Sequence, residues 1–302
     1  MKKLLFIFNP AAGRGRIKGK LFEIINTFVK SGYKVTIFPT QAKGDATSII
    51  TQDDEVYDLI VCGGGDGTLN EVISGQMFAG KPVPIGYIPA GSMNDVAHSL
   101  KISREIGKAV KNILTGVPRT LDVGYFNGKY FIYVAAFGAF TDVPYTTSQK
   151  NKNMIGNLSY YMEGIKKLAD LKSKHVKIQY DDKELEDDFV IGFITNSLYI
   201  AGMKHISHEK TSLDDGIFEM LLIKMPKNII DLEIIISCLI NSKINETYMY
   251  HLQASKITVI SEAMEWTLDG EYGGSYEKVE IDNCHKAIEI ICGEPIKKLN
   301  CK

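Results

Sequence analysis

The spacing of apolar and polar positions divides the chain into two parts with different rhythms. In the first part, short apolar runs alternate with segments whose apolar residues recur at helical spacing. The runs predict strands at residues 4–8, 34–38, 58–62 and 83–88, and the spaced segments predict helices at 17–29, from 45, at 71–78, at 95–100 and at 104–114. Strands that alternate with helices indicate a parallel sheet, whose ligands bind at the carboxyl ends of the strands.

Beyond residue 123 the pattern is that of a mostly antiparallel β domain. Two apolar runs flank Asn127-Gly128, a dipeptide typical of tight hairpins. A helix is predicted at residues 157–171, and strands at 176–180, 189–195, 218–223, 256–260, 265–268, 278–281 and 288–292. The predicted fold class is therefore α/β plus all-β, with a Rossmann-like parallel-sheet domain followed by an antiparallel β domain.

Composition places the chain among ordinary globular proteins, with 45% hydrophobic and 24% charged residues. A net charge of −1 supplies no field that would attract nucleic acid, so we expect no nucleic-acid partner. The five cysteines form no C-x-x-C pair, which fits reduced thiols in a cytosol. The apolar runs at residues 4–8 and 229–240 are too short for a signal peptide or a bilayer span, so we expect a soluble, cytoplasmic protein.

Candidate chemistry is densest after the third predicted strand, in Cys62-Gly63-Gly64-Gly65-Asp66-Gly67-Thr68-Leu69-Asn70-Glu71. Glycines let backbone N–H groups approach a phosphate closely. Thr68 and Glu71 have capping-box spacing, which predicts a helix start there and with it an anion site. An acid beside phosphate is unfavourable without a cation or a transferable proton, so Asp66 predicts Mg²⁺ binding or acid/base chemistry. A tight turn that needs only the glycines is the structural alternative.

A second glycine loop follows the fourth predicted strand, in Pro89-Ala90-Gly91-Ser92-Met93-Asn94-Asp95. Ser92 and Asp95 again have capping spacing, and the Asn94 amide is suited to bond phosphate or ribose oxygens. The alternative is a well-capped helix with no ligand. Because this loop repeats the arrangement of the first one, we favour a shared phosphate site.

A third loop, Asn9-Pro10-Ala11-Ala12-Gly13-Arg14-Gly15, follows the first predicted strand. Arg14 and Arg16 supply fixed positive charge for a phosphate. The glycine spacing here matches neither the dinucleotide fingerprint nor the Walker loop. The sequence therefore argues against a plain Rossmann dehydrogenase and against a P-loop NTPase.

In order and spacing, the motifs N-P-x-x-G, G-G-D-G-T-x-N-E-V, P-x-G-S-x-N-D and a late D-G-E resemble those of the bacterial diacylglycerol kinase and related lipid kinase family. The resemblance covers nearly the whole chain, although the G-G-D-G-T run is shared with NAD kinases. It implies two domains, with ATP and Mg²⁺ bound in the cleft between them. It places residues 1–123 and 288–302 in a nucleotide-binding domain and residues 124–287 in a β-sandwich domain that binds the lipid.

The resemblance also implies roles for individual residues. The implied nucleotide contacts are Asn9, Pro10, Ala11, Ala12, Gly13, Thr40, Gly64, Gly65, Asp66, Gly67, Thr68, Leu69, Asn70 and Ser92, to which we add Asn94 and Asp95 from the second glycine loop. Glu271 would be the base that takes the proton of the lipid hydroxyl. Asp66 is the rival, because the corresponding acid is discussed in that role for sphingosine kinases.

The acidic turn at residues 212–217 resembles a family Mg²⁺ site with a structural role. Its ligands would be Ser212, Asp215 and the carbonyl of Ile217, and Ser212 replaces an acid that some members have. From the residues alone, Asp214-Asp215-Gly216 is an acidic turn by default and a cation site as the alternative. In the same way, Trp266-Thr267-Leu268-Asp269-Gly270-Glu271 indicates a strand that ends in a tight turn.

The leading hypothesis is an ATP-dependent lipid kinase that converts diacylglycerol to phosphatidic acid in phospholipid metabolism. Such a protein would visit the membrane surface to reach its lipid, and we consider a homodimer as its assembly. An NAD kinase-like phosphorylation of a soluble nucleotide is one alternative, supported by the G-G-D-G-T run alone. A nucleotide-binding regulator without turnover is another, and the presence of the acids that chemistry needs argues against it.

Overall fold

The computed structural model describes residues 1–138, 172–196, 199–200, 203–204 and 212–293. The chain forms two compact units. Met1–Val123 and the chain from His285 onward make the first unit, and Gly124–Cys284 makes the second. The helix predicted at residues 157–171 lies outside the described residues.

The first unit is built on a parallel sheet. Its strands are β1 (Lys2–Phe8), β2 (Tyr33–Pro39), β3 (Leu59–Gly64) and β4 (Ile85–Pro89), which agree with the predicted strands to within two residues at each end. They lie in the order β2-β1-β3-β4, and the last part of a long strand, β15 (Glu271–Cys292), pairs in parallel with β4. β1 and β3 are continuous apolar runs because a parallel strand is buried on both faces.

Helices connect these strands and cover the sheet. They are α1 (Arg16–Lys30), α2 (Asp45–Gln52), α3 (Asp66–Ala79), α4 (Asp95–Ser99) and α5 (Ile106–Thr115). Their apolar positions recur at helical spacing, as in Ile17, Ile24 and Phe28 of α1, and these side chains pack with Phe6 and Val61 of the sheet. The resulting core holds the carboxyl ends of β1, β3 and β4 side by side, where the three glycine-containing loops begin.

The second unit is rich in antiparallel strands. They are β5 (Val117–Phe126), which starts in the first unit, β6 (Lys129–Phe131), β7 (Val134–Gly138), β8 (Lys174–Tyr180), β9 (Lys183–Thr195), the short pair β10 (Tyr199–Ile200) and β11 (Met203–Lys204), β12 (Phe218–Lys224), β13 (Met249–Ala254) and β14 (Lys256–Leu268), with β15 leading back to the first unit. The hairpin predicted at Asn127-Gly128 is confirmed, since both residues have positive φ between β5 and β6. Trp266 is fully buried in this core, with its ring centroid 5.1 Å from that of Phe126 and 4.9 Å from that of Phe137.

Two pairs of predicted strands are each one continuous strand. Residues 256–260 and 265–268 both belong to β14, whose pairing register with β15 shifts between Ile260 and Met264. Residues 278–281 and 288–292 both belong to β15. In β14, an irregularity of this kind breaks the alternation of apolar and polar positions without ending the strand, so the pattern alone predicts two strands there.

The apolar stretch 229–240 is a helix, α6 (Ile229–Ile240). The Asn228 side chain caps it by accepting the backbone N–H groups of Ile230 and Asp231. Leu232 and Ile235 are its buried positions in the second unit. Among the described residues, none of the helices combines the length and the apolar character that crossing a bilayer requires.

Candidate functional site

Three loops converge at the carboxyl edge of the parallel sheet. The backbone N–H of Asn9 donates to the Gly63 carbonyl at 2.8 Å, and the N–H of Ala90 donates to the Gly64 carbonyl at 2.7 Å. The loop after β1 also touches the loop after β4, because a Cβ on Gly13 would lie only 2.2 Å from the Ala90 carbonyl oxygen. The loops after β1, β3 and β4 therefore form one surface, as their positions in the sequence predict.

Glycines allow the loops after β3 and β4 to pack back to back. A Cβ on Gly91 would lie 2.6 Å from the Gly65 Cα, and a Cβ on Gly64 would lie 2.5 Å from the Thr68 hydroxyl oxygen. Neither distance leaves room for a side chain. The structural role of these glycines is thus shown by contact, while the phosphate contacts predicted for Gly64 and Gly65 stay predictions.

We expect Gly91→Ala to destabilise the first unit, because its methyl group has to displace the backbone of Gly65. Overpacking of this kind costs about 1–3 kcal/mol, which lowers the melting temperature by roughly 3 °C or more. Gly67→Ala is the matched control, since a Cβ there meets nothing within 4 Å. Calorimetric melting of both variants tests the packing, and a Gly91→Ala protein that melts with the wild type would contradict it.

The predicted capping box at the start of α3 is wrong. The sequence predicts a helix from residue 71, whereas α3 begins at Asp66 with Gly65 as its N-cap and without a capping side chain. Thr68 instead packs over Gly64, and the Glu71 carboxylate bonds to the backbone N–H of Gly44. The T-x-x-E spacing is thus explained by tertiary contacts, and the helix start lies directly at the glycines.

The second capping prediction, from Ser92 to Asp95, is also wrong. The N-cap of α4 is Asn94, which has left-handed backbone angles and makes no capping bond with its side chain. Ser92 is exposed, whereas Asp95 is buried at 3% exposure. The hydroxyl of Ser92 is therefore accessible to a ligand at the mouth of this loop.

Asp66 joins the two glycine loops. Its Oδ2 accepts the backbone N–H of Asn94 at 2.8 Å, across 28 positions of sequence. The positive φ of Asn94 turns that N–H toward the acid. The carboxylate lies in the first turn of α3, where the helix dipole favours negative charge.

The Asn94 side chain closes its own loop. Its Oδ1 accepts the Gly91 N–H at 2.9 Å and the Tyr87 hydroxyl at 3.2 Å, and its Nδ2 donates to the Gly91 carbonyl at 2.7 Å. The residue is only 1% exposed. The sequence predicts that the Asn94 amide bonds to phosphate or ribose oxygens. In the structure, both the oxygen and the nitrogen of the amide bond within the protein and shape the loop. Tyr87 was not foreseen, because a tyrosine inside a buried strand gives no polar signal.

Backbone turns shape the loop after β1. The Asn9 Oδ1 accepts the N–H of Ala11 at 2.9 Å, and the Asn9 carbonyl accepts the N–H of Ala12 at 3.2 Å. Gly13 and Gly15 both have positive φ around a short 3₁₀ turn. Pro10, Ala11 and Ala12 are therefore held in one tight curve next to the other loops.

Two arginines connect this loop region to the loop after β4. The Arg16 guanidinium donates to the Arg104 carbonyl at 3.0 Å, and the Arg104 guanidinium donates to the Ser92 carbonyl at 3.0 Å. Arg14 is exposed and was predicted, together with Arg16, to bring positive charge to a phosphate. Arg104, which lies in a bend just before α5, was missed because a lone arginine carries no motif.

The remaining predicted nucleotide residues lie around the same edge. Thr40 is buried, and its backbone N–H donates to the Phe8 carbonyl at 2.9 Å, which fixes the end of β2 beside β1. Leu69 is fully buried, so any contact that it makes with a ligand must come from its backbone. The half-buried Asn70 accepts the hydroxyl of the buried Ser74 at 3.3 Å within α3. Burial raises the pKa of the Cys62 thiol, and the nearby Glu71 and Asp66 carboxylates raise it further, so the thiolate form is disfavoured.

In the second unit, Glu271 follows a tight turn. Asp269 and Gly270 both have positive φ and join β14 to β15, and Glu271 is the first residue of β15. The Asp269 carboxylate accepts the backbone N–H groups of Ile132, Tyr133 and Val134 at 2.8–3.0 Å. The D-G-E sequence thus contains a buried acid that anchors the turn and a half-buried acid that follows it. Asp269 was predicted only as a turn residue, because its three donors are far away in sequence.

The acidic turn at 212–217 is closed by its own hydrogen bonds. The Asp215 carboxylate accepts the N–H of Ser212 at 3.1 Å and the N–H of Ile217 at 3.1 Å, and the Ser212 hydroxyl donates to Asp214 at 2.5 Å. Within the described ranges, no three His, Cys, Asp or Glu side chains group in a way that could hold a metal ion. These bonds fix the shape of the turn, and the Mg²⁺ ligands Ser212, Asp215 and Ile217 stay a prediction.

Comparison with known proteins gives matches along most of the chain. Residues 3–126 match the family model for the diacylglycerol kinase catalytic domain, and residues 138–291 match the one described as a YegS C-terminal NAD kinase beta sandwich-like domain. The chain is 33% identical over 294 residues to the Bacillus subtilis protein named diacylglycerol kinase, with 96% of each chain covered. It is 33% identical to the Staphylococcus carnosus protein of that name, over 98% of this chain and 97% of the relative.

A solved structure supports the same comparison. One such structure is the crystal structure of a Bacillus anthracis protein that is named a diacylglycerol kinase. It superimposes on this chain with a TM-score of 0.83. The alignment covers 97% of this chain and 96% of that one, at 26% sequence identity. Both the parallel sheet and the β-rich unit are therefore features that this chain shares with that protein.

Proposed function

The chain belongs to the diacylglycerol kinase family, and on that basis we propose that it transfers the γ-phosphate of ATP to the hydroxyl of a lipid, with diacylglycerol as the acceptor and phosphatidic acid as the product. The observation that carries this proposal is the convergence of three glycine-containing loops with one acid. Asp66 bonds to the Asn94 N–H where the loops after β3 and β4 meet. Phosphoryl transfer needs positioning and charge neutralisation above all, and this surface is suited to both.

The nucleotide would bind on the first unit. Small residues in the loops let phosphate oxygens come close to the backbone, and the N-terminus of α3 adds positive potential. Asp66 is the acid best suited to hold the Mg²⁺ that accompanies ATP, because carboxylate oxygens are the ligands that this ion prefers. Mg²⁺ neutralises phosphate charge when it is bound. Ser92 offers an exposed hydroxyl to the same nucleotide.

The lipid acceptor would bind on the second unit, with Glu271 as the base. In the proposed reaction the lipid oxygen forms a bond to the γ-phosphorus and passes its proton to the Glu271 carboxylate. The bond from the γ-phosphorus to the oxygen that bridges it to ADP breaks, and ADP leaves with that electron pair. Glu271 then loses the proton to water. The acceptor resides in a membrane, so we propose that the protein works at the membrane surface.

A second candidate is phosphorylation of a soluble nucleotide such as NAD. It has specific support, because the second unit matches a domain described as NAD kinase-like. The two candidates differ in the acceptor alone, so one assay with two acceptors separates them.

We expect transfer of radiolabel from γ-labelled ATP, with Mg²⁺, to diacylglycerol presented in detergent micelles or vesicles. Transfer to NAD should stay at the level of a reaction without acceptor. A panel of lipid extracts in the same assay identifies the acceptor, and micelles without lipid are the control. Label that enters NAD while dispersed diacylglycerol stays unlabelled would contradict the proposal.

A further inference from the structure

Glu71, the last residue of the glycine motif, turns away from its own loop toward α2. Its Oε1 accepts the backbone N–H of Gly44 at 2.8 Å, and its Oε2 accepts the N–H of Ala46 at 3.3 Å. In return, the Thr47 hydroxyl donates to the Glu71 backbone carbonyl at 2.8 Å. The carboxylate thus satisfies N–H groups at the start of α2, where negative charge is favourable.

The segment that Glu71 holds is the one that leads from Thr40 to α2. At one end of this segment, the backbone N–H of Thr40 donates to the Phe8 carbonyl. At the other end, the Asp45 carboxylate accepts the N–H groups of Gln41 at 2.6 Å and Ala42 at 2.8 Å, and these bonds lower its pKa. Asp45 gives the loop its internal shape. Glu71 ties that shape to α3 and so to the glycine loop at the start of α3.

Close packing makes this tie rigid. A Cβ on Gly75 would lie 2.9 Å from the Ile50 Cβ and 3.2 Å from the Thr47 Cα, so α2 and α3 touch through backbone. Because the helices have no side-chain layer between them there, movement of one is passed directly to the other.

From this geometry we propose that Glu71 is a positioning residue that sets the affinity for ATP by fixing the Thr40 loop against the glycine loop. The inference rests on the proposed function, since it takes Thr40 and the glycine loop as nucleotide contacts. Both Glu71 oxygens are engaged by backbone N–H groups, so the residue acts through the loop and takes no proton from the acceptor.

Glu71→Gln is the decisive variant. Glutamine keeps the shape, but its amide places an NH₂ group against one of the two N–H groups and removes the charge that strengthened both bonds. We expect the Kd for ATP with Mg²⁺, measured by titration calorimetry, to rise about tenfold, which corresponds to about 1.4 kcal/mol. Turnover at saturating ATP should stay within about threefold of wild type, and the KM for the lipid should not change. Glu23→Gln is the matched control, an exposed helical carboxylate of the same unit whose ion pair with Lys20 contributes little.

An unchanged ATP affinity in Glu71→Gln would overturn the inference. If turnover also falls by about 100-fold or more at that unchanged affinity, Glu71 belongs to the chemistry instead. If Glu71→Gln does not fold, Thr47→Val decides, because it removes the reciprocal bond and leaves the carboxylate in place. That variant should weaken ATP binding by about two- to threefold, and unchanged binding overturns the inference. Wild-type protein that does not bind ATP would instead refute the proposed function itself.

Discussion

Asp66→Asn is expected to lower phosphate transfer at least about 100-fold while the protein keeps its fold. The asparagine oxygen can still accept the Asn94 N–H that the aspartate Oδ2 accepts at 2.8 Å, so the contact between the glycine loops survives. The change removes negative charge at the start of α3, where we propose that Mg²⁺ binds beside the phosphates of ATP. The expected defect is therefore in turnover, measured with labelled ATP at saturating concentration.

Asp66→Ala separates the two roles of the acid. Alanine removes both the charge and the bond to Asn94, so this variant should lose activity and also melt at a lower temperature than Asp66→Asn. Asp54→Asn, at an exposed carboxylate in the same unit, serves as the control for charge and should retain wild-type activity. An Asp66→Asn protein that keeps more than about a tenth of wild-type activity would refute the role, because groups that act on the transition state usually contribute 10²-fold or more.

Glu271→Gln is expected to bind ATP normally and to lose about 100-fold or more in turnover. Glutamine keeps the shape and removes the base, while the turn before it is held by Asp269 through three backbone N–H groups. A carboxylate in water is a weak base. It can still accept a proton in the transition state when it lies within hydrogen-bond reach of the hydroxyl.

The control for Glu271 is Glu277→Gln, an exposed carboxylate on the same strand, β15. It should transfer phosphate at the wild-type rate. If Glu271→Gln turns over normally while Asp66→Asn is inactive, the role of base passes to Asp66. Calorimetric binding of ATP to both variants shows whether each loss lies in binding or in turnover.

The parallel sheet and its three loops could be predicted because their signals are local. Buried parallel strands are continuous apolar runs, and glycines directly after such runs mark the loops at the carboxyl edge. β1, β3 and β4 lie where the sequence placed them, and Asn9, Gly65 and Ala90 follow them at one edge. The hairpin at Asn127-Gly128 is equally local, since the two turn residues determine it.

The errors arise where a local pattern has a tertiary cause. Thr68 and Glu71 have capping-box spacing, but Thr68 packs over Gly64 and Glu71 bonds to Gly44, 27 positions earlier. Spacing within one helix cannot distinguish a cap from a residue that faces another element. The same limit applies to Asp269, whose bonds to residues 132–134 span more than 130 positions of sequence.

We propose that this chain moves the γ-phosphate of ATP onto a lipid hydroxyl. Mass spectrometry of the products formed from diacylglycerol and ATP labelled with ¹⁸O in the γ-phosphate tests it most directly. We expect labelled phosphatidic acid in amounts equal to the ADP formed, and at least about 100-fold less of it with Asp66→Asn. ADP that forms without any labelled lipid, or label that enters a phosphorylated dinucleotide when NAD is supplied as well, would refute the proposal.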